Sequence, residues 1–171
     1  SIVRFSNNRW HAARPVAADG WEIAGCPVNG PAIAANGNQV VVAWFTGANG
    51  EPAVKVAFSQ NGGASFDDPV RIDNGEPVGR VDLVSLEDGS AVVSWVEWEG
   101  PDEALVLCRI RPGAGCGARQ RITLNKADDP INFPRMVGAG QKFYIAWTQP
   151  STPGSSVGQD QSTIRLVVGG I

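Results

Sequence analysis

The residues of this chain best suited to holding a charged ligand are two arginines and an aspartate. Arg80, in VGRVDL, and Arg135, in FPRMVG, each stand at the start of a strand-like run, in positions that read as equivalent; Gly30 takes that place in an earlier run. A guanidinium is a planar fork of donors that meets a carboxylate through two parallel hydrogen bonds. Asp82, two residues beyond Arg80, has the type and place of either an acid or a partner that holds Arg80. Trp21 and Trp10 lie in or beside connecting segments and could stack on sugar rings, although aromatics there more often pack between structural units. His11 and Cys26 make a thin nucleophilic pair, because His11 has no linked acid. Asp67-Asp68 and Asp128-Asp129 are adjacent pairs without the x-spaced oxygen ladder of a calcium loop, and no Cys/His spacing suits zinc. Gly62-Gly63 leads into a strand, whereas a phosphate cradle would open a helix and carry a Lys-Ser/Thr pair. No metal and no cofactor are expected.

The elements that must position these side chains are written three times. QVVVAWF (Gln39 to Phe45) recurs as SAVVSWVEW (Ser90 to Trp98) and as KFYIAWTQ (Lys142 to Gln149). The pairs Ala43-Trp44, Ser94-Trp95 and Ala146-Trp147 fall at intervals of 51 and 52 residues. Each copy is a β-branched and aromatic run behind a turn, which is the signature of a strand. Around the first copy, PAIAA, QVVVAWF, AVKVAFS and PVRID are joined by hairpin-sized links. Around the second, VDLVSL, SAVVSWVEW, ALVLCRIR and RQRITL repeat the scheme. The third runs through PRMVGAG and KFYIAWTQ, crosses the linker PSTPGSSVGQDQS and stops after TIRLVV, one strand short. SIVRFSN and HAARPVA read as the third and fourth strands of a further unit.

A period near 50 with four antiparallel strands per unit predicts an all-β fold of β-propeller blades. The expected division is a partial blade over 1–20, blades over 27–73 and 80–124, and a partial blade over 133–169. PAIAA, nearly all apolar, reads as an innermost strand packed on both faces, and the tryptophans as fillers of the wedge between blades. A β-sandwich also uses many short strands but gives no reason for a tryptophan at this interval. Propellers usually close with about four to eight blades, so the ring is expected to need a second copy of the chain or a missing N-terminal half.

Composition agrees. A chain of 171 residues can bury about 70% of its unfolded surface, and 43% apolar against 18% charged residues argues for a packed core. With 21 Gly and 12 Pro, long helices would be interrupted while turns are well supplied. A formal charge of −3 argues against a nucleic-acid partner. No apolar run approaches the roughly 18 residues of a membrane span, and no charged-then-apolar leader precedes Ser1. Cys108 and Cys116 flank RIRPGAG, a turn that would bring two strands together. A disulfide there suits an exported protein, with two buried thiols as the alternative. Cys26 reads as a buried thiol.

Ser59-Gln60-Asn61-Gly62-Gly63-Ala64-Ser65-Phe66 resembles the Asp-box (BNR) repeat of sialidase-like propellers, S-x-[DN]-x-G-x-[ST]-[WF], with Ser59, Asn61, Gly63, Ser65 and Phe66 at the defining positions. In such a hairpin Asn61 bonds backbone amides, the glycines supply positive φ and Phe66 tucks beneath. FSNNRW, Phe5 to Trp10, looks like a shortened copy. DGWEIAGCPVNGPAIAA, PVGRVDLVSLEDGSAVVSWVE and FPRMVGAGQKFYIAWT extend the likeness to bacterial exported sialidase-like proteins, over most of residues 19 to 149 and towards their C-terminal half. The resemblance implies a secreted or periplasmic propeller and a glycan, such as an acidic sugar, as ligand. Sialidase chemistry would further require three arginines, a tyrosine nucleophile with a glutamate, and an acid aspartate. Only Arg80, Arg135 and Asp82 answer to these; Tyr144 lies inside KFYIAW and reads as core, and Glu97 and Glu99 as solvated carboxylates. The reading is therefore non-catalytic glycan binding through Arg80, Arg135, Asp82 and Trp21. A sialidase-type hydrolase completed by a second half, or a purely structural propeller, stand as alternatives.

Overall fold

The computed structural model describes residues 1–23, 28–126, 129–150 and 162–170. Cys26, Asp128 and the linker residues 151–161 lie outside them. The described chain is built of antiparallel sheets whose strands follow one another in sequence. The first full sheet contains β3 (Ala32–Asn36), β4 (Gln39–Thr46), β5 (Ala53–Ser59) and β6 (Val70–Arg71). The second contains β7 (Pro77–Ser85), β8 (Ala91–Glu99), β9 (Asp102–Ile110) and β10 (Arg119–Asn125). The third has three strands, β11 (Asn132–Ala139), β12 (Lys142–Pro150) and β13 (Ser162–Gly170). The chain is all-β, and these are β-propeller blades.

The N-terminal pieces pair more briefly than their alternation predicts. Only β1 (Phe5–Ser6) and β2 (Arg9–Trp10) form strands, joined by Asn7 and Asn8 at φ 51° and 59°. Beyond them Ile2 and Arg14 exchange both backbone hydrogen bonds, at 2.7 and 3.0 Å. β6 is short for a different reason. The Asp73 carboxylate accepts the Val54 amide at 2.7 Å, so a side chain takes over where the ladder would have continued.

Side-chain alternation gives every sheet two apolar faces, and each tryptophan strand fills the wedge on one of them. Val41, Ala43, Val56 and Phe58 of the first sheet pack against Val93 and Trp95 of the second. On the opposite face of the second sheet, Val92, Val96, Leu105 and Leu107 pack against Phe143, Ile145 and Trp147 of the third. Trp95 is fully buried, and its indole nitrogen donates to Glu97 at 2.7 Å. The Phe143 ring reaches the third sheet's backbone because Gly169 stands opposite it; a Cβ there would lie 2.1 Å from the ring.

Two expectations change at the ends of this stack. PAIAA packs with one face only: Ala32 is buried, whereas Ile33 is 59% exposed. Residues 1–23 explain this, since Ile2 reaches Gly63 and Trp21 reaches Gly47, both towards the outside of the first sheet. Tyr144 is half-buried and not core, because alternation along β12 turns it away from Phe143, Ile145 and Trp147. It shares its face with exposed Val137 and Val168, its cross-strand partners.

The sheets are also latched by polar groups. The Asn29 amide donates to the Val78 carbonyl and accepts the Arg80 amide, both at 2.9 Å, across a bulge in β7. Gly79 lies under that amide with φ 101°, and an added Cβ would meet it at 2.6 Å. We expect Gly79→Ala to cost about 1–3 kcal/mol through backbone strain and displacement of Asn29. Asn29→Ala should cost about 1–3 kcal/mol through orphaned backbone groups. Because both act on one latch, urea denaturation of the double variant should show less than the sum; additive effects would mean that the contact is not coupled.

Candidate functional site

The charged residues of the inner strands come together where β7 and β11 begin. Register, however, separates the two arginines. Asp82 pairs with Ser94, Arg135 with Ala146 and Ala32 with Ala43, so Arg135 is the repeat counterpart of Asp82. The counterparts of Arg80 are Gly30 and Phe133, two residues earlier in each unit. The equivalence of Arg80 and Arg135 expected from sequence does not hold: the bulges of β7 and β11 fall at the same place, and Arg80 lies inside the first whereas Arg135 follows the second.

Arg80 and Phe133 share an unusual backbone, with φ of 52° and 42°. That conformation is sparsely populated by residues with a side chain and persists only where the surroundings over-determine it. Here the determinants are visible. The Arg80 amide is held by Asn29, and its guanidinium pairs with Glu103 at 2.9 Å and donates to the Ile131 carbonyl. It also lies 5.9 Å from the centre of the Phe133 ring. Glu103 accepts the Ile131 amide at 2.7 Å, so the pair ties the second sheet to the third. Both side chains are largely withdrawn from water, at 18% and 4% exposure.

Asp82 does similar work. One oxygen accepts the Met136 amide of β11 at 2.7 Å and the other accepts the Leu83 amide at 2.9 Å. Arg135 approaches the first oxygen through Nε at 3.3 Å. Asp82 is buried, whereas the Arg135 side chain is 82% exposed. The four charges thus divide: Arg80, Glu103 and Asp82 face inwards on backbone groups, and Arg135 faces water with its Nε edge steadied.

The other candidates lie apart. Trp21 packs edge-on against Phe45, 5.5 Å between ring centres. Trp10 is 70% exposed beside Phe5, and the His11 ring meets the Ser6 hydroxyl at 2.7 Å. In the SQNGGASF hairpin, the Ser59 hydroxyl accepts the Gly63 amide and the Asn61 side-chain Oδ1 accepts the Ser65 amide, both at 2.9 Å. Gly62 and Gly63 take φ of 66° and 75°, and Phe66 is half-buried. Cys108 and Cys116 are joined in a disulfide. Among the described residues no group of three or more His, Cys, Asp or Glu side chains is placed to hold a metal ion.

Sequence reading missed Glu103, Asn29 and Asp88. Glu103 did leave a signal, a carboxylate at the mouth of the apolar run ALVLC. Asp88 accepts the Ser90 amide at 3.0 Å and Arg109 at 2.8 Å in the β7–β8 turn. Hydrogen bonds from the Ser90 hydroxyl and amide, then the Arg109 charge, lower its pKa to about 2.

No family model matches the sequence, and no curated protein matches it. Solved structures do resemble the fold. Bacteroides ovatus Xyloglucan PUL GH43B aligns with TM-score 0.52 and 14% identity, over 80% of this chain and 26% of that one. A xylan β-1,4-xylosidase from Bacillus halodurans aligns with TM-score 0.54 and 13% identity, over 80% and 27%. A Penicillium chrysogenum α-L-arabinanase complexed with arabinobiose aligns with TM-score 0.56 and 10% identity, over 86% and 47%. The chain therefore spans between about a quarter and a half of these proteins' length. At such identities the likeness is one of fold, and none of the three is a sialidase.

Two outcomes test the charge assignments. Arg80→Ala should destabilise by about 3 kcal/mol or more in urea, since it leaves Glu103 buried without its cation; wild-type stability would show that Arg80 holds nothing together. A carboxylate whose folded pKa is depressed stabilises above its unfolded value and loses that contribution as pH falls through the folded one. Asp88 should therefore titrate near pH 2 by NMR. Stability should fall between about pH 4 and pH 2, and Asp88→Asn should remove that part of the fall. These elements position one exposed guanidinium over locked charges, in a chain made of β-propeller blades like those of glycoside hydrolases.

Proposed function

We infer that this chain is an extracytoplasmic, sialidase-like propeller segment that binds an acidic glycan without cleaving it. The observation that carries this reading is Arg135, an exposed guanidinium whose Nε edge is steadied by a buried carboxylate. Holding one edge leaves the terminal nitrogens directed to solvent and reduces the ordering cost of meeting a ligand carboxylate. Phe133, 57% exposed and two residues earlier in the same strand, adds apolar surface near the Arg80 guanidinium. Arg80 and Asp82, included in the sequence reading as ligand contacts, act here as positioning residues. Trp21 packs against Phe45 and Gly47 of the first sheet and is not needed for this site.

Cleavage finds less support. Asp82 and Glu103 spend their oxygens on backbone amides and arginines, so neither is free to act at a sugar bond beside Arg135. The second reading, a glycoside hydrolase whose acting groups lie on a second copy or further half, rests on the hydrolase neighbours and on the fraction of them that this chain spans. The Cys108–Cys116 disulfide favours an exported location.

Calorimetric titration with sialyl- and glucuronyl-oligosaccharides tests the reading. Charge-assisted hydrogen bonds contribute roughly 1.5–3 kcal/mol, so Arg135→Ala should weaken binding about tenfold or more. Arg135→Lys should fall between, because an ammonium lacks the fork. Both variants should fold normally, since the side chain is exposed. An Arg135→Ala protein that binds these sugars as wild type does would sink the site, and release of free sugar would favour the hydrolase.

A further inference from the structure

A second site lies where residues 16–21 cross the first sheet. A cleft of about 510 Å³ opens between this segment, the β4–β5 turn and β5–β6. A smaller one of about 260 Å³ adjoins it, and both are lined by Val16, Ala17 and Asp19. The two cavities adjoin at these residues, with Asp19 at the waist of the groove they make together, and the larger is in the size range of small-ligand sites.

The two ends of the groove differ in chemistry. Trp21, Trp44 and Phe45 line the smaller end, which offers aromatic surface. The larger end is polar and mixes donors with acceptors, among them Lys55 and Asn49 with Glu51. Its charged side chains are four carboxylates, Asp19, Glu51, Asp67 and Asp68, against Lys55 and Arg71. Arg71 is already committed to Asp73 at 2.7 Å. That balance repels an anion. It suits a ligand whose every polar group both donates and accepts and whose ring has an apolar face to lay on an indole.

The waist is preorganised. The Asp19 carboxylate accepts the Trp44 indole N–H at 3.2 Å and the Trp21 amide at 3.4 Å, which ties the crossing segment to β4. Burial pushes this carboxyl up, but hydrogen bonds from Thr46, Trp44 and Trp21 and the Lys55 charge outweigh it and hold its pKa below the ordinary value. Lys55 stands between Trp44 and Arg71 in the cross-strand register, half-buried on the groove floor.

We propose that this groove binds a neutral oligosaccharide, one ring on Trp21 and Trp44 and the next bonded to Asp19, Lys55 and Asn49. The site shares no residue with the Arg135 site and prefers the opposite ligand charge, so the two stand or fall separately. Saturation-transfer NMR and tryptophan fluorescence with cellobiose, xylobiose and maltose test it. At least one should bind saturably, and Lys55→Met should weaken it about tenfold, the loss of one hydrogen bond from a charged donor. Asn49→Gly, which removes the amide while keeping the left-handed backbone at φ 58°, should weaken the same sugar several-fold while leaving near-ultraviolet circular dichroism unchanged. No saturable response to any of the three would overturn the proposal. So would binding that neither substitution alters, or displacement of the bound sugar by glucuronic acid.

Discussion

Each sheet in this chain has two apolar faces and can bury neither by itself. A four-stranded antiparallel sheet with valine, leucine and tryptophan on both sides is stable only between neighbours, and the wedge between neighbours must be filled at native density. Trp95 and Trp147 meet that demand from the middle strands, one side chain per interface. Everything polar at the interfaces is subordinate to it. Asn29, Asp82 and Glu103 all cross from one sheet to the next and all end on backbone groups. They fix the register in which the apolar faces meet, and the apolar faces exclude the water that would weaken them.

This division of labour explains how far the sequence could be read. The tryptophan strands, their hairpin partners and their grouping in fours were legible because a strand's period and its turn residues are local properties. AVKVAFS is a strand over the very residues its pattern marks, Ala53–Ser59. The disulfide was legible too, since a Pro/Gly turn between two cysteines is a local constraint. The pairing of residues around the bulges was not. Arg80 and Arg135 look alike when each is read as an arginine ahead of a strand, but Arg80 lies inside the bulge of β7 and Arg135 just past the matching bulge of β11. Only the ladder Asp82–Ser94 and Arg135–Ala146 reveals which positions correspond.

The partners of the charges were hidden for a related reason. Arg80 and Glu103 are 23 residues apart, and Asn29 reaches Arg80 across 51. Contacts of that separation are created by stacking and leave no local pattern. Tyr144 shows the converse: its apolar neighbours suggested a core position, yet alternation along β12 assigns it to the face opposite Trp147. A run that is apolar at every position says that a strand is buried, and only its neighbours in space say on which side.

What separates Arg135 from the other inner-strand charges is therefore a matter of geometry more than residue type. Arg80 and Arg135 both pair with a buried carboxylate, at 2.9 and 3.3 Å. Arg80 has a sheet on either side, and its guanidinium is consumed by Glu103 and the Ile131 carbonyl. Arg135 stands on the third sheet's open side, among Val137, Leu166 and Val168, which are also exposed. A cation in the first setting is a structural member whose removal is felt as lost stability. In the second, the carboxylate is already satisfied by the Met136 and Leu83 amides, so the arginine can be given up to a ligand without orphaning Asp82. The same ion pair thus does opposite work in two adjacent sheets, and the difference is set by how many backbone donors reach the carboxylate first.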